Sequence, residues 1–228
     1  MSGADSSIRI GVPAVLTAAS ASGFVHAMHA AAGSAAPVVV LEGGGGVFCR
    51  GLDVASAVTS ANLEVFVEAL LAVRQVEKVV IAVVDGVALG GGVGLAAAAD
   101  LVIASQEASF GLPESLLGLA PAAILPFLLE RMRPQQCRLW ALAPHARPAT
   151  DAARAGLVDV LTTRAGLRSR TDYWVRQFAR IQATAIPHLK RLTSAPGRAL
   201  ESSLRDGIAL TAELLEDPAV AERFREYG

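Results

Sequence analysis

Three stretches of this chain carry residue types suited to carbonyl chemistry. They are a glycine-rich turn, Gly43 to Asp53 (GGGGVFCRGLD), a triple glycine at Gly90, Gly91 and Gly92, and Glu114 at the end of FGLPE. A glycine turn lets backbone N–H groups approach a ligand with no Cβ in the way. Two such turns, each following a buried strand, can aim two N–H groups at one carbonyl oxygen and hold the charge that develops there. A nearby carboxylate can then take or give a proton. Taken alone, the triple glycine also suits a plain tight turn, and Glu114 a helix-start acid favoured by the helix dipole. Neither turn has the spacing of a phosphate loop. The Gly-Lys-Ser/Thr ending is absent, and no ribose-binding acid follows at the right distance.

The elements that must position these groups follow from the apolar pattern. Val38 to Leu41 and Val79 to Val84 (VVIAVV) are short, β-branched and wholly apolar, as expected of parallel strands buried on both faces. Each runs into a glycine turn. Leu95 to Ala99 reads as a helix wedged into a core, Leu101 to Ala104 as a further buried strand, and Phe110 to Glu114 as a loop. Upstream, Ile8 to Val12 predicts a strand, and Ser20 or Ser22 can cap a helix running to about Ala32. Leu63 to Val76 predicts an amphipathic helix, with Val54 to Leu63 as a polar loop ahead of it. Pro148 to Val160 gives a cap, a short helix, a glycine stop and a strand. Leu167 to Ala183, Pro196 to Glu216 and Ala219 to Tyr227 read as helices, with Tyr173, Val175, Phe178 and Ile181 on one apolar side.

With FCRGLD, DGVALGGGVGLA, ADLVIA, FGLPE and RAGLVDVL (Arg154 to Leu161) in register, the chain resembles the crotonase (enoyl-CoA hydratase/isomerase) superfamily. The resemblance implies an α/β crotonase fold. Residues 1–161 would form a core of repeated ββα units in a spiral, and 162–228 a C-terminal helical region of the same domain that makes trimer contacts and helps close a neighbouring site. It also implies a homotrimer or a dimer of trimers. The two oxyanion donors fall on the backbone N–H groups of Leu52 and Gly91, with Gly90 and Gly92 flanking the substrate. Hydratases of the family carry one glutamate in the helix after the glycines and another in the FGxPE loop. Here the first position is Gly94, and Glu114 keeps the second. Water addition by two glutamates is therefore not expected, whereas a reaction in which one carboxylate moves a proton beside an enolate is.

The largely apolar segment Ser115 to Met132 stands where many members have a Gly-Gly-Thr stretch, and it should raise the Glu114 pKa by desolvation. LPESLLGLAPAAILPFLLERM is also similar to the dehydratases of the polyketide β-branching cassette. Those act on 3-hydroxy-3-methylglutaryl held on an acyl carrier protein. The family's opening hairpin and its Asn-Arg-Pro segment, which contacts adenine of coenzyme A in many members, have no counterpart here, as suits an acyl group arriving on a carrier's phosphopantetheine. The expected activity is dehydration of a 3-hydroxyacyl thioester, on a carrier protein or coenzyme A. Arg50, beside the proposed hole, is the candidate for the substrate's free carboxylate. The alternatives are an enoyl-thioester isomerase using one glutamate, and a non-catalytic crotonase-like subunit.

Composition narrows the classes. The net charge is −1, and the basic residues, all arginine except Lys78 and Lys190, form no block, so a nucleic-acid partner is not expected. Two cysteines, Cys49 and Cys137, with no CxxC pattern point to neither a disulfide framework nor a zinc site. A reducing, cytoplasmic setting is expected. No apolar run spans a membrane, and the first residues lack a leader pattern. His26 and His29, three apart on the first helix, His145, Glu64 and Glu68 are expected on solvated faces. No metal or other cofactor is expected.

Overall fold

The computed structural model describes residues 6–53, 60–193 and 197–227. The chain opens with β1 (Ser7–Gly11), α1 (Ala18–Ala32), β2 (Val38–Glu42), β3 (Val47–Cys49), α2 (Ser60–Gln75), β4 (Val79–Val84), β5 (Val87–Leu89) and α3 (Gly91–Ala98). It continues with β6 (Leu101–Ser105), β7 (Ser109–Gly111), a 3₁₀ turn Pro113–Leu117, α4 (Leu125–Arg131), α5 (Pro134–Leu142), β8 (Arg147–Pro148), α6 (Ala149–Ala155) and β9 (Val160–Thr162). Four helices close it: α7 (Leu167–Phe178), α8 (Ile186–Thr193), α9 (Gly197–Leu215) and α10 (Pro218–Tyr227).

From β2 to β7, successive strands alternate between two sheets. One has the order β1-β2-β4-β6-β9 and is parallel throughout; the other is β3-β5-β7-β8, with only β8 antiparallel. Each ββα unit thus places one strand in each sheet before its helix returns. Consecutive residues of a strand face opposite sides, and the apolar runs accordingly feed two cores. Val39, Leu41, Val80 and Ala82 pack with α1, α2 and α3, while Val38, Val40, Ile81 and Ile103 pack against Leu167, Val175 and Ile186. Burial on both faces is why these strands read as unbroken hydrocarbon.

Several local expectations shift. Thr17, not Ser20 or Ser22, caps α1: its side chain accepts the Ser20 N–H, and Ser20 Oγ accepts the Thr17 N–H in return. Ser20 supplies the reciprocal half of that box. The helix expected to reach Ala183 ends at Phe178, and α8 follows as a separate element. Tyr173 is exposed, and Trp174 packs in its stead, stacked on Phe178 at 5.4 Å. Phe110 belongs to β7 and Glu114 to the 3₁₀ turn, so the expected loop is largely ordered by pairing with β5 and β8. Of the loop expected over 54–63, residues 54–59 lie outside the described residues and 60–63 form the first turn of α2, which starts three residues earlier than expected.

A partly buried cation fastens α8 to the core. Lys190 Nζ, from the last turn of α8, donates to Asp100 Oδ2 at 2.9 Å and to the Lys78 carbonyl at 3.1 Å, and Asp100 Oδ2 also accepts the Val80 N–H. Burial pushes the Lys190 pKa down and Asp100 pulls it partly back. Removing one partner leaves the other's charge uncompensated. Lys190→Met is therefore expected to cost about 2 kcal/mol in urea unfolding, with part recovered when Asp100→Asn is added.

Candidate active site

The two glycine turns meet. Gly51 adopts φ +85°, open to glycine and costly for other residues, and a Cβ built on it would lie 2.7 Å from the Gly91 nitrogen and 3.0 Å from the Leu89 carbonyl oxygen. The RGLD backbone therefore lies directly against the start of α3. Leu52 forms a parallel bridge with Leu16, in which the Leu16 N–H donates to the Gly51 carbonyl and the Asp53 N–H to the Leu16 carbonyl. That pattern turns the N–H of Leu52 itself away from Leu16. Gly91 is the first residue of α3, and such an N–H has no acceptor within its own helix. Among the described residues neither N–H has an acceptor, and Leu52 and Gly91 line the same cleft. Helix α3 begins on the glycines themselves rather than at Leu95, which directs its positive end at this cleft.

The third group arrives from the 3₁₀ turn. Gly118, in the left-handed region, closes that turn with its N–H on the Ser115 carbonyl, and the Leu119 N–H donates to the Glu114 carbonyl at 3.0 Å. Gly90, at φ +50°, donates its N–H to the Gly111 carbonyl, and a Cβ built on it would stand 2.8 Å from Glu114 Oε1. The carboxyl group therefore rests over the bare Cα of Gly90, adjoining Gly91. Glu114 Oε2 is enclosed and has no hydrogen-bond partner. Burial raises the Glu114 pKa to about 7, only partly opposed by a backbone hydrogen bond. Such a group can act as acid or base near neutrality.

The cleft, about 670 Å³ including its open mouth, is walled by hydrocarbon from Leu63, Phe66, Leu117, Leu119 and Ile124. Arg50 stands on it with an exposed side chain. Gly92 does not line it. A Cβ on Gly92 would lie 2.1 Å from the Cys49 carbonyl oxygen, so this glycine serves the packing of α3 on β3. Gly94 is also buried, and a Cβ there would meet Leu70 Cδ2 at 3.1 Å and Ile124 Cγ1 at 3.3 Å. Hydrocarbon thus closes over Gly94, in keeping with the expectation that no second acid acts from this position.

Other candidates lie elsewhere. Cys49 is buried and its thiol pKa is pushed up to about 11, so it supplies no thiolate near neutrality. His26, His29, His145, Glu64 and Glu68 are exposed. The described residues contain no group of three or more His, Cys, Asp or Glu arranged to hold a metal ion, and no helix among them is long and apolar enough to cross a membrane.

Helix α9 lines this chain's cleft, and α10 packs beside the turn that carries Glu114. Gly207 of α9 packs on Ala122, where a Cβ would lie 3.0 Å from the Ala122 carbonyl carbon, and Thr211, one turn on, lines the cleft. Gly118 packs against Val220 of α10. Ile124 belongs to the apolar segment expected beside Glu114, whereas Thr211 and Phe66 escaped the sequence reading because no local pattern announces them. They enter through helix packing across large sequence separations.

The enoyl-CoA hydratase/isomerase family matches residues 12–227. The bacillaene synthase dehydratase PksH of Bacillus subtilis is 28% identical over 193 residues, covering 81% of this chain and 74% of that protein. Carnitinyl-CoA dehydratase of Proteus mirabilis is 30% identical over 181 residues, covering 76% and 68%. The crystal structure of an enoyl-CoA hydratase from Mycobacterium avium superposes with TM-score 0.87 at 26% identity, covering 98% of this chain and 91% of that one. The crotonase fold and the hydratase and dehydratase relatives agree with the converging N–H groups and their carboxyl neighbour: the chain is a lyase of hydratase/dehydratase type and belongs to the enoyl-CoA hydratase/isomerase family.

Proposed function

We propose that this enzyme removes water from a 3-hydroxyacyl thioester, and that the acyl group is 3-hydroxy-3-methylglutaryl on the phosphopantetheine of a carrier protein. The observation that carries the reading is a single enclosed carboxyl group, Glu114, with a pKa raised to about 7, beside two uncommitted N–H groups and with no second acid among the described residues lining the cleft. In this mechanism the Leu52 and Gly91 N–H groups hold the thioester oxygen. The Glu114 carboxylate takes a proton from Cα, and the C–H electrons form the enolate. The enolate then re-forms the carbonyl and expels the β-oxygen, to which Glu114 returns the same proton. One water leaves, a Cα=Cβ bond forms, and Glu114 ends as the carboxylate it began as. The dehydratase relative named for bacillaene synthase supports a carrier-bound substrate, and coenzyme A is the other carrier to test. Exposed Leu189 and Leu192 on α8 support assembly as a homotrimer or a dimer of trimers.

A second reading, double-bond isomerisation of an enoyl thioester, draws on the same lone carboxylate. It would relocate a proton without loss of water.

Intact-mass measurement of the loaded carrier protein separates the two. Loss of one water is the expected result; an unchanged mass with a shifted double bond would establish the isomerase. In the same assay Arg50→Met is expected to raise KM for the glutaryl substrate about tenfold while leaving a neutral 3-hydroxybutyryl substrate within about twofold. Arg50 is the one cationic side chain among the described residues lining the cleft. An equal effect on both substrates would remove it as the carboxylate partner.

A further inference from the structure

We propose that Thr211 of α9 accepts a hydrogen bond from the substrate's 3-hydroxyl and holds that oxygen for departure. The inference rests on the proposed reading of the cleft as a 3-hydroxyacyl site. Among the described residues lining the cleft, only Arg50, Glu114 and Thr211 carry polar side chains, and Thr211 has the only hydroxyl. That hydroxyl is buried, and its proton is already committed to the Gly207 carbonyl at 2.8 Å. What remains is acceptor capacity on Oγ1. A ligand donor can match it, and the reacting end of a 3-hydroxyacyl thioester offers one in its hydroxyl.

The position is built rather than incidental. Gly207 and Thr211 are four apart and share a face of α9. The bare Cα of Gly207 lets the helix lie flush on Ala122, and this contact carries Thr211 to the cleft wall. Thr211 is not occupied with Glu114, since Glu114 Oε2 has no partner and Oγ1 donates to Gly207. With the substrate O–H directed to Thr211, a lone pair of the same oxygen can face Glu114, which must deliver the proton. Thr211 is thus a positioning residue that sets which lone pair of the leaving oxygen is protonated.

The test compares a 3-hydroxyacyl ligand with its 3-deoxy analogue, both on the carrier, in the full-length protein. Binding is measured in a Glu114→Gln background so that turnover does not intervene. Thr211→Val keeps the shape and removes the acceptor; it is expected to weaken the 3-hydroxyacyl ligand about tenfold and the deoxy analogue less than about twofold. Thr211→Ser should restore the preference. With Glu114 present, Thr211→Val should lower kcat/KM of dehydration by a similar factor, with an unchanged urea midpoint confirming that the fold is retained. Equal weakening of both ligands, binding of neither, or a hydroxyl preference unchanged in Thr211→Val would each overturn the proposal. Failure to release water while the hydroxyl preference persists would count against the dehydratase reading alone.

Discussion

Glu114→Gln is expected to lower kcat by at least about a thousandfold while the protein still folds and binds its thioester. The amide keeps the size and the contact over Gly90 but cannot accept the Cα proton. The same substitution carries a stability signature that distinguishes a buried titrating acid from a surface one. Burial raises the folded-state pKa of Glu114 to about 7, well above an unfolded glutamate. The sign follows: the folded state binds the proton more tightly, so this contribution to stability is fully present below the unfolded pKa. It is lost as pH rises from about 4.5 to about 7. The loss is at most about 3 kcal/mol. Glu114→Gln should abolish that dependence and, at pH 8, be more stable than the native protein in urea unfolding, the usual exchange of stability for a poised active-site group. In the native enzyme, kcat/KM should rise with pH through about 7 as the carboxylate form becomes populated. Unchanged activity in the glutamine variant would remove Glu114 from the chemistry. A flat stability difference between pH 5 and pH 8 would show that the carboxyl group is solvated.

The second large effect is expected at Gly51, a residue that contributes no side chain. In Gly51→Ala the new methyl would lie 2.7 Å from the Gly91 nitrogen and 3.0 Å from the Leu89 carbonyl oxygen, so the two turns must separate. Separation moves both N–H groups relative to one oxygen, and loss of one such donor costs on the order of 3 kcal/mol of barrier. The expected result is a fall in kcat of about a hundredfold or more, with KM changed far less, because the interaction strengthens as charge develops on the oxygen. A stability loss of about 1 to 2 kcal/mol should accompany it, since φ +85° is strained for alanine. The melting curve and the kinetics together separate these effects. If kcat is retained in a folded Gly51→Ala protein, the convergence of the two turns is structural only.

How much of this site was legible depends on how locally each part is encoded. Val38 to Leu41 and Val79 to Val84 announce buried parallel strands because residues covered on both faces must all be apolar, whatever the rest of the chain does. The turns that follow them are legible for a similar reason: Gly51 and Gly90 occupy backbone conformations that exclude a Cβ, so the residue type records the geometry. Glu114 stood out through its place in FGLPE, and Gly94 through the acid it does not carry. The helix cap at Thr17 was misplaced by three residues because Ser20 is equally suited to the role, and only the observed box separates the two halves.

What the tertiary structure decided is everything that depends on two distant segments touching. That Gly51 abuts Gly91, and that Glu114 rests on Gly90, follows from strands 40 and 22 residues apart in sequence (Val47 beside Val87, Val87 beside Ser109) lying in adjacent positions of the second sheet. The closing of Ile124 and Leu70 over Gly94 likewise joins three elements, and makes the missing acid a filled space rather than a vacancy. Thr211 lies almost a hundred residues from Glu114 and shares a cleft with it only because Gly207 lets α9 settle on Ala122. The sequence by itself thus determined the alternating strands, the glycine turns and the single acid, since backbone sterics and burial act residue by residue. The convergence of N–H groups, carboxyl and hydroxyl on one cleft was decided by packing, in which the position of each group depends on segments remote in the chain.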